Sequence, residues 1–151
     1  MRFPVVTSTN LSRQKLTLPR DLEGERNIVL IAFQRQQQAD IDSWLPLVQQ
    51  LEATYPVHYY ELPVIQQLNL LARSFINQGM RMGIPDGEAR ERTITLYVDK
   101  VVFRKALDLS HEDDIYVLLI DRQGRVWWRT SGAFTPEKGQ ALSAAVEDSC
   151  K

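Results

Sequence analysis

The strongest pattern in the chain is an unbroken apolar run at residues 28–33, followed by a polar loop and by apolar residues at helical spacing. A run of this kind, rich in branched side chains, predicts a strand buried on both faces of a sheet. Beyond the loop, one helical face collects the apolar positions Ile41, Trp44, Leu45, Val48 and Leu51. We therefore predict a central strand that leads through a loop into an amphipathic helix.

This helix is expected to run from about Asp40, its predicted N-cap, to about Thr54. Pro46 interrupts the pattern and predicts either a kink or a late helix start. In open α/β sheets, ligands and catalytic groups lie at the carboxyl ends of the strands. The loop at 34–40 is therefore the first place to look for function.

Shorter runs predict the remaining elements. Further strands are expected at 15–18, 57–62, 93–98, 115–120 and 125–130, and further helices at 65–76, 100–107 and from Thr135 onward. Pro63 is expected to close the strand at 57–62, and Asp99 and Thr135 are expected to cap helices. Alternating strands and helices imply parallel pairing with helices on both faces of the sheet, and the closing hairpin adds an antiparallel edge.

Composition narrows the class of protein. The chain has 151 residues with 44% hydrophobic and 25% charged residues, which favours one globular domain; we divide it into a loose N-terminal lead-in, 1–14, and a single domain, 15–148. A formal net charge of −1 gives no general attraction to nucleic acid. No apolar run approaches the roughly 20 residues of a membrane span, so membrane insertion is not expected.

One cysteine, Cys150, is present, so an intramolecular disulfide is impossible. This favours the cytoplasm as the compartment, although a chain trimmed of a signal peptide would look the same. His58 and His111 have no partners at ligand spacing, so neither a metal site nor a cofactor is predicted. The pattern does not predict an oligomeric state.

The order of elements, together with the segment IYVLLIDRQGRVWWRTSGAFTPEK, resembles the thioredoxin-like superfamily, and within it the peroxiredoxin-like branch. The matching positions are Asp121, Gly124, Gly132, the helix start at 135–137 and the segment 99–109. The resemblance covers about residues 11–147 and implies an α/β fold: a central mixed sheet with helices on both faces.

Within that superfamily the chain resembles the family of the mitochondrial F-type ATP synthase assembly factor of thioredoxin fold and its bacterial relatives. The residues that carry this closer resemblance are Phe33, Gln34, Arg35, Trp44, Tyr60, Glu61, Arg81, Trp128 and Arg129. The resemblance implies an assembly or chaperone-type role without redox chemistry.

The chain departs from the thiol-active members at two places. Those members carry a cysteine at the start of the helix after the central strand, where the helix N-terminus stabilises the thiolate. The corresponding loop is built from Gln34, Arg35, Gln36, Gln37, Gln38, Ala39 and Asp40. The superfamily's cis-proline before the strand at 115–120 is replaced by Asp113 and Asp114. Both departures argue against oxidoreductase activity.

The candidate binding residues are those of this loop and one distant arginine. They are Arg35, Gln36, Gln37, Gln38, Asp40 and Arg81. Amide and guanidinium groups at a helix start can hold a carboxylate, an amide or a partner's backbone, whereas the alternative is a solvated loop without a ligand. Arg81, in a long predicted loop at 81–92, can contribute to an anion site if other arginines converge on it.

Two adjacent tryptophans, Trp127 and Trp128, are expected to face opposite sides of the sheet, one of them in the core. The other is expected either to be exposed near the edge of the sheet, where it can anchor a partner, or to be buried under the last helix. No catalytic residue is predicted. The function that the sequence favours is therefore a redox-inactive thioredoxin-like protein that acts by binding another protein. The alternative is an enzyme: a peroxiredoxin-like oxidoreductase that uses Cys150, or a non-thiol enzyme that uses the loop at 35–40.

Overall fold

The computed structural model describes residues 1–66 and 92–150. Seven strands lie in this part of the chain: β1 (Val6–Thr9), β2 (Lys15–Leu18), β3 (Arg26–Ala32), β4 (Val57–Gln66), β5 (Leu96–Val98), β6 (Tyr116–Asp121) and β7 (Val126–Ser131). The α-helices in the same part are α1 (Gln38–Thr54), α2 (Lys100–Ala106) and α3 (Pro136–Ser149), and a 3-10 turn at Arg35–Gln37 precedes α1.

Five of the strands form one mixed sheet in the order β5-β4-β3-β6-β7, and β1 and β2 form a separate antiparallel hairpin. The pairs β3–β4 and β4–β5 are parallel, whereas β3–β6 and β6–β7 are antiparallel. Strand β3 is central, and Ile28, Val29, Leu30 and Ile31 have no exposed surface. This confirms the predicted central strand.

Alternate residues of β3 serve two separate cores. Ile28 and Leu30 pack against α1 and α3, whereas Val29 and Ile31 pack in the core that holds Phe103 of α2. An apolar run is needed at β3 because both of its faces are covered. Helices therefore lie on both faces of the sheet, as the sequence predicts.

Residues 1–14 are ordered against the fold instead of forming a loose lead-in. Strand β1 pairs with β2, from Val6 opposite Leu18 to Thr9 opposite Lys15. Phe3 and Leu11 are buried, and the Phe3 ring meets Phe103 edge-on with centroids 5.7 Å apart. The apolar residues of this segment are widely spaced, so its strand depends on pairing with β2, and Phe3 is buried against Phe103 of α2.

Strand β4 continues past Pro63 to Gln66, although the sequence predicted an end at residue 62. Pro63 pairs with Ala32, the last residue of β3, and the next three residues pair with β5. Proline has no backbone N–H to donate, and Pro63 lies where the hydrogen-bonded pairing of β4 with β3 ends. Pairing with β5 then continues β4 to Gln66. Ile65 and Gln66 accordingly belong to a strand, and the rest of the helix predicted at 65–76 lies outside the described residues.

Helix α1 begins at Gln38, two residues before the predicted N-cap Asp40. The N-cap is Gln37, and Asp40 lies in the first helical turn, where a carboxylate is favourable because of the helix dipole. Pro46 lies inside the helix, which continues to Thr54 without a late start. Asp99 and Thr135 cap α2 and α3 with their side chains, as predicted.

The two tryptophans of β7 lie on the same face of the sheet, contrary to the prediction. A register shift follows the Leu119–Trp128 pair, because Ile120 pairs with Val126 and leaves Trp127 as an extra residue. Such a β-bulge breaks the alternation of side chains. Trp128 packs on the α1–α3 core, and Trp127 faces Ala145, Asp148 and Ser149 at the end of α3.

Candidate functional site

The loop after β3 is held in place by its own glutamines. Gln37 is buried, and its Oε1 accepts hydrogen bonds from the backbone N–H groups of Phe33 at 2.8 Å and Gln34 at 3.2 Å. The side chain of Gln34 in turn caps the backbone of Gln37. This reciprocal arrangement satisfies N–H groups that the turn would otherwise leave without partners.

The same two glutamines fasten the loop to the turn before β6. Gln37 Nε2 and Gln34 Nε2 both donate to the backbone carbonyl of Glu112, at 2.8 Å and 2.9 Å. Both amide groups are therefore used in internal hydrogen bonds between the loop and this turn.

The carboxylate of Glu112 adds two ion pairs to this junction. Its oxygens lie 3.2 Å from Lys100 Nζ and 3.2 Å from Arg104 Nε, both on α2. Lys100 Nζ also lies 3.4 Å from the carbonyl oxygen of Phe33. All three charged side chains are largely buried, so these contacts are screened less than surface pairs. These ion pairs and the contact of Lys100 with Phe33 connect the end of β3, α2 and the turn at 110–114.

A second cluster lies on the α1 side of the loop. Gln38 Nε2 donates to Asp42 Oδ1 at 2.9 Å and to Glu61 Oε1 on β4 at 3.1 Å. Burial raises the pKa of Glu61 above its ordinary value, the hydrogen bond from Gln38 opposes this, and the nearby charge of Asp42 raises the pKa further.

The predicted site residues divide into two groups. The structure brings Gln36, Gln37 and Gln38 into hydrogen bonds: Gln36 Nε2 donates to Gln34 Oε1, and the other two have the contacts given above. Arg35 is exposed; its backbone carbonyl accepts from the N–H of Gln38, and its guanidinium forms no hydrogen bond with another described residue. Asp40 is half-buried. Arg81 lies outside the described residues.

The sequence analysis missed Glu112, Lys100 and Glu61 as parts of this region. Glu112 stands in a run of acids, His111-Glu112-Asp113-Asp114, that is typical of a solvated turn. One signal was available: the resemblance places the superfamily's missing cis-proline at Asp113 and Asp114, in this turn. Its partner on α2 could not be identified because the contact depends on how the two elements pack.

Comparison with protein-family models gives a match over residues 1–148 to a single family, described as ATP10 protein. The chain belongs to the ATP10 protein family. This confirms the resemblance to the family of the ATP synthase assembly factor. No curated protein matches the chain.

Solved structures match over almost the whole chain. A putative thiol:disulfide interchange protein DsbE from Chlorobium tepidum is 14% identical with a TM-score of 0.59, over 99% of this chain and 96% of that one. ScoI of Arabidopsis thaliana, with copper bound, is 9% identical with a TM-score of 0.64, over 98% and 99%.

BsSco, a member of the Sco family of cytochrome c oxidase assembly proteins, is 12% identical with a TM-score of 0.65, over 99% and 93%. Identities this low establish the fold alone. The predicted thioredoxin-like fold is confirmed.

The single thiol of this ATP10 family member lies far from the loop. Cys150 is the C-cap of α3 and packs partly against the α1–α3 core. The other end of α3 adjoins α1, because the backbone N–H of Phe134 donates to Ser43 Oγ at 3.0 Å. Since α3 has 14 residues, it separates Cys150 from that end by about 20 Å. Cys150 therefore cannot take the place of the thiol at the start of α1.

Within residues 1–66 and 92–150, no group of three or more His, Cys, Asp or Glu side chains is placed to hold a metal ion. None of the helices in these ranges has both the length and the apolar character that crossing a membrane requires.

Proposed function

We propose that this chain is a redox-inactive assembly factor that acts by binding another protein during assembly of the F-type ATP synthase. Membership of the ATP10 protein family supports the assembly role. The observation that carries the redox-inactive part is the use of Gln34 and Gln37 at the helix start as internal hydrogen-bond donors and acceptors. Amide groups can hold backbone but cannot exchange electrons.

The exposed rim of the loop is the proposed contact surface for the partner. Arg35 and Gln36 are exposed, and Gln38 and Asp40 lie beside them on the first turn of α1. Gln37 and Gln34 face inward and hold the loop rigid, so the rim is presented without a large ordering cost on binding. Arg81 stays a proposed contributor from the sequence alone, and the cytoplasm is the proposed compartment because the chain has one cysteine.

The redox part is tested by peroxide consumption with a thiol reductant and by insulin reduction. We expect neither activity, for wild type or for Cys150→Ser. Activity that disappears in Cys150→Ser would establish a thiol enzyme. Activity that survives in Cys150→Ser would establish a non-thiol enzyme and overturn the proposal in a different way.

The binding part is tested by retaining ATP synthase subunits from the native organism on immobilised wild-type chain, with the subunits identified by mass spectrometry. Arg35→Glu should reduce their retention, because it reverses a charge on the rim without breaking a described contact. Lys105→Glu on α2 is the matched control, because Lys105 is also exposed. Retention of no ATP synthase subunit by wild type would contradict the proposal, and equal losses in the two variants would reject the rim as the contact surface.

A further inference from the structure

The bulge in β7 creates an exposed aromatic surface at the opposite end of the sheet. Strand β7 is an edge strand, and Trp127 is 41% exposed although its neighbour Trp128 is packed on the core. The indole is fixed, since its Nε1 donates to Asp121 Oδ2 at 3.1 Å. A large side chain held in one orientation at the surface loses little conformational entropy when a partner binds it.

Two arginines lie against this indole, and a third is bridged to one of them. Arg26 Cζ lies 4.2 Å and Arg125 Cζ lies 5.5 Å from the centroid of the Trp127 ring, within the range of cation–π contacts. Arg2 is bridged to Arg125 through the backbone and donates to the carbonyl of Gln123 at 3.2 Å. We call Arg2, Arg26, Arg125 and Trp127 the Trp127 surface.

The arginines of the Trp127 surface form no ion pair with an acid of residues 1–66 or 92–150. The nearby carboxylate of Asp121 interacts electrostatically with Arg125. Asp121 is buried and its oxygens accept from Trp127 Nε1 and from the backbone N–H groups of Gln123 and Arg125. Arg26 Nη1 donates to the carbonyl of Glu25, not to its carboxylate.

An open cleft of about 260 Å³ adjoins the indole and is lined by Trp127, Ala145, Asp148 and Ser149. The cleft provides room beside the ring for a side chain of the occupant. Asp148 is the acid on its wall, so the positive charge is concentrated on the side of Arg26 and Arg125.

We propose that the Trp127 surface binds an acidic segment of a protein partner, with carboxylates paired to the arginines and an apolar side chain packed on Trp127. Charge complementarity selects this occupant, because unpaired arginines favour carboxylates and the indole favours an apolar group. The segment binds through its side chains instead of as an added strand, because the bulge disrupts the edge that strand addition needs.

This surface is separate from the rim of the loop at 34–40. Arg26 begins β3 and the loop follows its last residue, so the seven residues of β3 hold the two surfaces about 20 Å apart. This proposal rests on the proposed protein-binding role only in taking the partner to be a protein. It adds a second contact surface, which binds carboxylates and one apolar side chain.

The test is a titration of a labelled synthetic peptide of glutamates around one central leucine, followed by fluorescence anisotropy at low salt. The control peptide carries glutamines in place of the glutamates. We expect the acidic peptide to bind wild type, the glutamine peptide not to bind, and Arg125→Glu to weaken binding by about tenfold or more, since the interaction is electrostatic. Lys105→Glu, an exposed cation on α2, should change binding by less than about twofold.

Trp127→Ala should also weaken the acidic peptide, and circular dichroism checks that each variant is folded. Absence of binding to wild type, equal losses in Arg125→Glu and Lys105→Glu, or equal binding of the glutamine peptide would each overturn the proposal. Two other results would also overturn the proposal if wild type does not bind the acidic peptide. One is sedimentation of wild type with phosphatidylglycerol vesicles, and the other is self-association of wild type that Arg125→Glu abolishes. A failed titration would leave the retention test with Arg35→Glu standing, so the two proposals can fail separately.

Discussion

Replacing Trp44 with alanine tests whether α1 is anchored to the sheet through its apolar face. Trp44 has no exposed surface and belongs to the core between β3, α1 and α3. Its Nε1 donates to the carbonyl of Gly132 at 3.0 Å, and its ring meets Phe134 edge-on at 5.4 Å. One side chain thus joins α1 to the segment between β7 and α3.

The expected cost follows from these contacts. Removal of a buried aromatic side chain costs about 3–5 kcal/mol, and the upper half of that range applies because the carbonyl of Gly132 also loses its donor. Trp44→Phe keeps most of the ring packing and removes the donor, so it should cost about 1–2 kcal/mol. The difference between the two variants separates packing from hydrogen bonding.

Urea denaturation followed by far-UV circular dichroism gives both numbers, provided that the slope of the transition is unchanged. Trp127→Ala is the matched control, since it removes the same side chain from an exposed position and should cost no more than about 2 kcal/mol. A loss below about 1 kcal/mol in Trp44→Ala, or equal losses in the two alanine variants, would refute the assignment of Trp44 as a core anchor.

Four further predictions concern the loop and the titrating groups. Gln37→Ala should cost about 2–4 kcal/mol in the same assay, because it leaves buried backbone groups without partners, whereas Gln36→Ala should cost less than about 0.5 kcal/mol; similar values would contradict the structural role of Gln37. Burial raises the pKa of Asp121, but the hydrogen bonds from Trp127, Arg125 and Gln123 outweigh it and the pKa lies below 3.8. The stability that ionised Asp121 contributes is therefore present above pH 3.8 and is lost as the pH falls through the lower pKa of the folded state. Asp121→Asn should accordingly lose less stability than wild type when the pH is lowered below 3.8. The pKa of Glu61 is raised above 4.5, so wild type should lose stability as pH rises from 4.5 through the folded pKa, and Glu61→Gln should abolish that loss; an unchanged profile would refute the burial argument. Gln38→Cys with Ile41→Cys should form an intramolecular disulfide, because these residues lie one turn apart at the start of α1, and failure of a folded variant to oxidise would count against the correspondence with the thiol site.

The central elements could be predicted because their patterns are local. The all-apolar run of β3 and the apolar stripe of α1 indicate both the type of element and the faces that are buried. Asp99 and Thr135 were identified as helix caps because their side chains can accept hydrogen bonds from the first backbone N–H groups. The features that were mispredicted depend on pairing between elements instead of on a local pattern. Strand β1 exists because the next strand, β2, pairs with it, and β4 passes Pro63 because the distant strand β5 continues the ladder.

The candidate site shows the same division. The absence of a cysteine at the helix start was evident from the sequence, and the loop was correctly placed after the central strand. The sequence did not indicate that Gln37 would turn inward to Glu112, because that bond joins residues 75 positions apart. The bulge at Trp127 was equally hidden, because two adjacent tryptophans are compatible both with regular alternation and with an extra residue in the strand.

The central claim, an assembly role without redox chemistry, is tested most directly by complementation. Cells of the native organism that lack the chain are supplied with wild type or Cys150→Ser, and assembled F-type ATP synthase is measured by native gel electrophoresis. We expect assembly to fall without the chain and to be restored equally by both forms. Normal assembly in the deletion strain, or restoration by wild type but not by a stably expressed Cys150→Ser, would contradict the account.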